Sequence, residues 1–407
     1  MPDAPVDPTQ APGVSTGSWL ARELDRLSPR RRSALQWWLE HPEALLVPVS
    51  AIVFGAFVVI YGDGDAPAFR ASGVDLWTGA GLDVFANQWL QVGPVYLALL
   101  GLATLAVEPW AGVVLTGVLL GALQGAVLVW WAMRLARRTA RRTGADPVPA
   151  AWAIGLVLAV GECVQIALEW GHPEEIAVAL LLAEAALLQV SGRPVRGGAL
   201  LGLAGATKLW AVIGAPVALL GRRPRTIAVC AAAALGVVAV AYLPFLLHGQ
   251  VRTFEHVWNF DDQTILGWWG FRTGWSEWSL RAVQAGAAVL VGAAVAWRRP
   301  LVPELTVLGA VVARVLLDPF RLQYYLSPAL VLIVLWAWTS TTPGARRWRL
   351  PVAVLAVVVV QARAVLPPDA TWWFGCAMVL AGLVLALISE RPAQGPAARD
   401  LRSSRAR

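Results

Sequence analysis

The chain has 407 residues, of which 57% are hydrophobic and 14% charged, and its mean hydropathy is +0.60. Soluble domains carry about a quarter charged residues, and a chain of this length would need several soluble cores clothed in charge that it lacks. These figures exclude a soluble enzyme, a disordered chain and a collagen-like fibre; they leave an all-α polytopic transmembrane helix bundle, with about 11–13 membrane helices expected, some of them short or re-entrant.

Residues 1–43 read as a cytoplasmic N-terminal segment. Its first 20 residues are rich in Pro, Ser and Gly and read as disordered. Residues 20–40 read as an interfacial helix with Trp37 and Trp38 beside Arg30 to Arg32. The first apolar run begins too late for a cleavable signal peptide. The transmembrane domain is expected over 44–389, with apolar runs near 44–61, 91–107, 111–133, 152–168, 176–190, 199–220, 226–247, 282–297, 303–317, 324–340, 351–365 and 372–389. Residues 390–407 read as a disordered, basic cytoplasmic tail.

Arginine clusters punctuate these runs at Arg22 to Arg32, Arg134 to Arg142, Arg193 and Arg196, Arg222 to Arg225, Arg298 and Arg299, Arg346 to Arg349, and Arg391 to Arg407. Together they hold 25 of the 33 basic residues. Short Arg-rich loops stay on the cytoplasmic side, so the net charge of +7 is read as an orientation signal and no nucleic-acid partner is expected. The opposite loops are then 62–90, 248–280, 318–323 and 366–371, with a turn near 169–175. Two stretches conflict with this parity. The 199–220 run is long enough to cross once yet has Arg at both ends, so it reads as a hairpin of short helices turning near Lys208. The 91–133 stretch reads as two helices where an odd number is needed, so one is expected to be partial. Broken helices at membrane depth line protein or a wet cavity.

Cys163, Cys230 and Cys376 fall in apolar runs and read as packed hydrophobes. The four histidines lack zinc-ligand spacing, and no nucleotide-binding fingerprint is present. No cofactor is expected, with a divalent cation held open. Asp63-Gly-Asp65 is a D-x-D whose hard oxygens suit such a cation, although the pattern arises readily in a Gly-rich turn.

Charges inside apolar runs are costly and mark candidate sites. They are Glu162, Glu169, Glu184, Lys208, Arg314 and Arg363, with His172, Glu174, Glu175, Asp318 and Arg321 at adjoining helix ends. Lys208, the only lysine, reads either as a lone cation for a phosphate or as a snorkelling side chain or one buried against a glutamate. Arg314 has the same two readings, with Asp318 four residues on as its local partner. The 258–278 segment carries Trp258, Trp268, Trp269, Trp275 and Trp278. It reads as an interfacial aromatic belt or as a platform for sugar rings, with Asp261, Asp262 and Arg272 supplying hydrogen bonds.

Three stretches carry a resemblance. They are Val74-Asp75-Leu-Trp-Thr-Gly with Asp83-Val-Phe85 and Val92-Gly-Pro94-Val-Tyr96; Gly171-His-Pro-Glu-Glu175 followed by the glycine-rich run Gly202 to Lys208; and Asp318-Pro-Phe-Arg-Leu-Gln-Tyr324-Tyr325-Leu-Ser-Pro328. Across about 44–340 the chain resembles the C-type membrane glycosyltransferases that use polyprenyl-phosphate sugars, and is most similar to the actinobacterial mannosyltransferase branch. Gly93-Pro94 replaces the family's Tyr-Pro-Pro, and Trp77 and Thr78 stand where a tyrosine is usual. The resemblance implies inverting transfer of a sugar, mannose in the nearest branch, from polyprenyl phosphate to a lipid-linked or glycan acceptor on the outer face of a bacterial plasma membrane. It implies Asp75 as general base; Lys208, Arg314 and His172 as donor-phosphate contacts; and Glu174, Glu175, Asp261, Asp262, Trp268, Trp269, Arg272, Tyr324 and Tyr325 as sugar or acceptor contacts. A transporter or flippase would need paired pseudo-symmetric halves, and Lys208 has no counterpart in the second half. A non-catalytic scaffold would pair its buried charges locally.

Overall fold

The structure, a computed structural model, describes residues 26–79, 81–257 and 260–390. The readings for the first residues, for Trp258 and for the Arg391 to Arg407 cluster lie outside the described residues. Within them the chain is helical, and the only extended pairing is an isolated antiparallel bridge between Val92 and Lys208.

The α-helices are α1 Pro29–Glu40, α2 Pro42–Tyr61, α3 Ala66–Thr78, α4 Pro94–Thr143, α5 Pro147–Val160, α6 Cys163–Glu169, α7 Glu174–Val190, α8 Pro194–Thr207, α9 Pro224–His248, α10 Ile265–Thr273, α11 Glu277–Arg298, α12 Glu304–Leu316, α13 Ser327–Thr339, α14 Pro343–Gln361 and α15 Pro368–Ser389. Proline at the first turn starts most of them, since that position needs no amide donor. Side-chain caps from Asp146, Thr264, Ser276 and Thr342 start α5, α10, α11 and α14. Among the described residues, six stretches, α2, α4, α5–α6, α9, α11 and α15, are long and apolar enough to cross a membrane. The chain is a multi-pass membrane protein.

Contacts trace the path. α2 leaves the Arg-bearing end, where Arg137 pairs with Glu43 at 2.7 Å. It reaches a far end, where Asp63 pairs with Arg70 at 2.5 Å. α4 is broken at Gly112 (φ 72°, ψ 169°). Its second half runs antiparallel to α2, with Gly117 beside Asp63 and Gly125 beside Phe54. Its first half therefore starts and ends on the far side and does not cross. This is the partial helix that charge parity requires.

The 194–221 segment is a hairpin. α8 ends at Lys208, and a 3-10 helix, Leu209–Gly221, returns. Both feet lie by Gln189: its amide donates to the Ala218 carbonyl at 2.9 Å, and Gly197 and Gly221 pack against it. The tip lies beside Glu174, one full α7 away. α7, α12 and α13 are buried along nearly their whole length and form the centre of the bundle. α9 and α11 present much of their surface outward. A second, smaller core (Phe69, Val84, Phe85, Leu90, Val92, Leu97, Phe245) supports the far-end loops.

Several charges at membrane depth are structural. Arg363 from the α14–α15 turn pairs with Glu169 at 2.5 Å and Glu162 at 3.4 Å. It braces the α5–α6 break, where Glu162 has φ 62°. Glu184 pairs with Arg138 and accepts from the Trp131 indole at 2.7 Å.

Candidate active site

The far ends of α2, α6, α7 and α12 and the hairpin tip bring one polar cluster together. Two loops meet backbone to backbone to build it. Gly64 (φ 47°) and Gly171 (φ 76°) face each other, and a Cβ on either would overlap main-chain atoms of the other loop. The Asp65 amide donates to the Trp170 carbonyl at 3.2 Å. This contact sets Asp65 opposite His172, with Asp65 Oδ2 3.1 Å from His172 Nε2.

From His172 the network runs inward. Nδ1 lies 2.7 Å from Glu174 Oε1 and 3.2 Å from Lys208 Nζ. The Lys208 ammonium donates to Glu174 at 2.6 Å and pairs with Glu175 Oε1 at 2.9 Å. Glu175 Oε2 takes Arg314 at 3.2 Å. The Arg314 guanidinium lies between the rings of Trp210 (4.4 Å) and Tyr325 (4.3 Å). Tyr324 stacks on His172 with centroids 4.6 Å apart, and Phe69 meets the same ring edge-on at 5.3 Å. The hairpin tip is held by the Gly93 amide donating to the Thr207 carbonyl at 2.8 Å. A side chain at position 93 would run into the Ala206 carbonyl.

His172 sits in the turn between α6 and α7, beyond the crossing segments. Burial and the Lys208 ammonium push its imidazole down, while Glu174 and Asp65 push it up; the carboxylates prevail, and the ring titrates above the ordinary histidine range. The Glu174 and Glu175 side chains are 0% exposed, whereas Asp65 is 44% exposed. Asp65 is thus the carboxylate of this cluster that a substrate can reach.

This geometry corrects several expectations. Asp75 is exposed on α3 and makes no side-chain hydrogen bond or ion pair among the described residues, so it is not brought to Lys208. Asp65, expected only as a cation ligand, is the aspartate that joins this network, through His172. The two aspartates of the D-x-D face different partners, Arg70 and His172, and do not converge. Lys208 is not a lone cation: with Arg314 it balances Glu174 and Glu175 as an internally neutral quartet. Arg314 bonds Glu175 rather than Asp318; Asp318 instead accepts from Gln284 at 2.8 Å and from the Phe320 amide at 3.1 Å. Asp261 is drawn away by Arg321, which also holds Asp369 and Gln263, tying three far-end loops together. Asp262, Trp268 and Trp269 are exposed outside the cluster. Arg272 stacks over Trp268 at 4.6 Å and has no described carboxylate partner. His172, Glu174, Glu175, Tyr324 and Tyr325 do converge. Phe69 was not among the expected contacts, and Tyr96, expected only as part of the resemblance, lies edge-on to Phe69 and donates its hydroxyl to Gln124 at 3.2 Å. A usable signal was the i, i+4 pair Asp65 and Phe69.

A helical membrane bundle with a polar cluster at one end, opened to the surface through a single half-exposed aspartate, is the layout of a polytopic membrane enzyme. Residues 97–319 match the profile of glycosyltransferase family 87, and the chain belongs to this family of membrane glycosyltransferases. No curated protein matches the chain.

Proposed function

We propose that the enzyme transfers a sugar, mannose in the first instance, from a polyprenyl-phosphate donor to a lipid-linked or glycan acceptor at the outer face of a bacterial plasma membrane. Asp65 takes the general-base role. An Asp65 oxygen removes the proton from the acceptor hydroxyl, that oxygen attacks the anomeric carbon, and the bond from this carbon to the phosphate oxygen breaks with inversion. The phosphate leaves carrying the electron pair. His172, in its protonated form, supplies fixed positive charge beside Asp65. Lys208 and Arg314 act at one remove, by locking Glu174 and hence His172.

The observation that supports this most is the exposure contrast: Asp65 alone of the clustered carboxylates reaches the surface. The test uses membrane vesicles containing the full chain and labelled polyprenyl-phosphate mannose. Asp65→Asn should lower transfer by roughly a hundredfold or more, whereas Asp75→Asn should keep most of it. The reverse pattern would return the base role to Asp75. Equal turnover of other polyprenyl-phosphate sugars would remove the mannose assignment.

A further inference from the structure

At the opposite, Arg-bearing end a cavity of about 360 Å³ opens between the last turns of α11 and α15. Its walls are apolar, formed by Val291, Ala294, Leu387 and Ile388, and its rim carries Arg298 and Arg299. Neither arginine has a carboxylate partner among the described residues. Arg299 reaches only carbonyl oxygens, those of Leu387 at 3.4 Å and Arg298 at 3.5 Å, and its Nε is buried without a partner. Arg222 adds a third positive charge beside this rim, donating to the Trp297 carbonyl at 3.2 Å. The nearest acidic side chain along α15, Glu390, is turned to other work: it accepts from the Trp336 indole at 3.0 Å and from Ser340 and Thr342. Just outside, Trp297 and Leu301 are 82% and 78% exposed, as suits side chains facing lipid at the membrane boundary.

We infer that this cavity binds an anionic phospholipid from the leaflet at the Arg-bearing end, its phosphate at Arg298 and Arg299 and an acyl chain along Val291, Ala294 and Ile388. Two features select this occupant. An apolar wall that runs on into a lipid-facing helix surface suits an acyl chain and gives a free phosphate nothing to bind. Uncompensated guanidinium groups at the membrane surface attract negative headgroups, and basic pockets between membrane helices are built in this way. The site lies at the other end of α11 from the candidate active site and does not depend on the reaction assigned there.

The experiment titrates the detergent-solubilised full chain with short-chain phosphatidylglycerol, phosphatidylcholine and inorganic phosphate, and counts bound molecules by native mass spectrometry. Phosphatidylglycerol should bind at least roughly tenfold more tightly than phosphatidylcholine. Arg298→Gln with Arg299→Gln should remove that preference. Ala294→Phe, which fills the wall and spares both arginines, should also weaken phosphatidylglycerol binding, so loss of binding does not rest on a charge change. Arg346→Gln with Arg347→Gln, in another Arg cluster, should leave the preference intact. Equal binding of the two lipids, a preference that survives the Arg298/Arg299 change, or inorganic phosphate competing as well as the lipid would each overturn the proposal. Monodispersity of every variant by size exclusion separates misfolding from lost binding.

Discussion

At the scale of single residues, Lys208 and Arg314 are each paired with a fully buried glutamate. Removing one member of a buried ion pair strands the other, at a cost of about 3–5 kcal/mol. Lys208→Met should therefore lower the unfolding temperature sharply, and adding Glu174→Gln should recover part of the loss, as a double-mutant cycle on the purified protein would read. His172 makes a pH-dependent contribution whose sign is fixed. Its folded titration point lies above the unfolded value of about 6.5, because Glu174 and Asp65 outweigh burial and Lys208. The stabilisation is thus complete below the unfolded value and fades as pH rises through the folded one. The melting temperature of wild type minus that of His172→Gln should shrink from acid to alkaline pH. The sequence offered the types of these residues and their nearness to membrane depth. It offered a glutamate partner as one reading of Lys208, but not that Arg314 would share the adjacent glutamate, because that follows from α7, α12 and the hairpin tip sharing one level.

At the scale of elements, two breaks in helices decide the architecture. Gly112 sends the second half of α4 across the bundle and leaves the first half on the far side. Lys208 turns the hairpin, and Gly93 holds the turn by backbone contact. Gly93→Val forces a side chain against the Ala206 carbonyl, an overpacking expected to cost about 1–3 kcal/mol. It should also lower transfer by displacing Lys208 from Glu174; a thermal melt and a vesicle assay on the same preparation check both. The hairpin was legible because arginine flanks both feet. The identity of the reachable aspartate was not: Asp65 and Asp75 both follow α2 in sequence, and only the meeting of Gly64 with Gly171 determines which one faces His172.

At the scale of the whole molecule, charge placement was the strongest signal in the chain. The described arginine clusters all fall at one end, and the remaining basic residues (Arg70, Lys208, Arg252, Arg272, Arg281, Arg314, Arg321 and Arg363) fall toward the other, nearly all against a carboxylate. Cys163, Cys230 and Cys376 are buried, so introduced cysteines report sidedness cleanly. Arg196→Cys, Arg225→Cys and Arg347→Cys should react with an impermeant thiol reagent from one face of the membrane, and Asp262→Cys from the other. Labelling of Arg196→Cys and Arg225→Cys from opposite faces would show that the hairpin crosses. One helix also couples the enzyme to its surroundings. Only 6% of the most apolar window of α9 is buried in protein, and its 25 residues at about 1.5 Å each make roughly 37 Å, against a hydrocarbon layer of about 30 Å. Such a helix meets the mismatch by tilting. Just beyond it, the Gln250 amide donates to Asp83 and the Arg252 amide to the Phe85 carbonyl, each at 2.9 Å. A thinner or thicker bilayer would thus pull directly on the loop beside the candidate active site, making bilayer thickness a physical control on turnover.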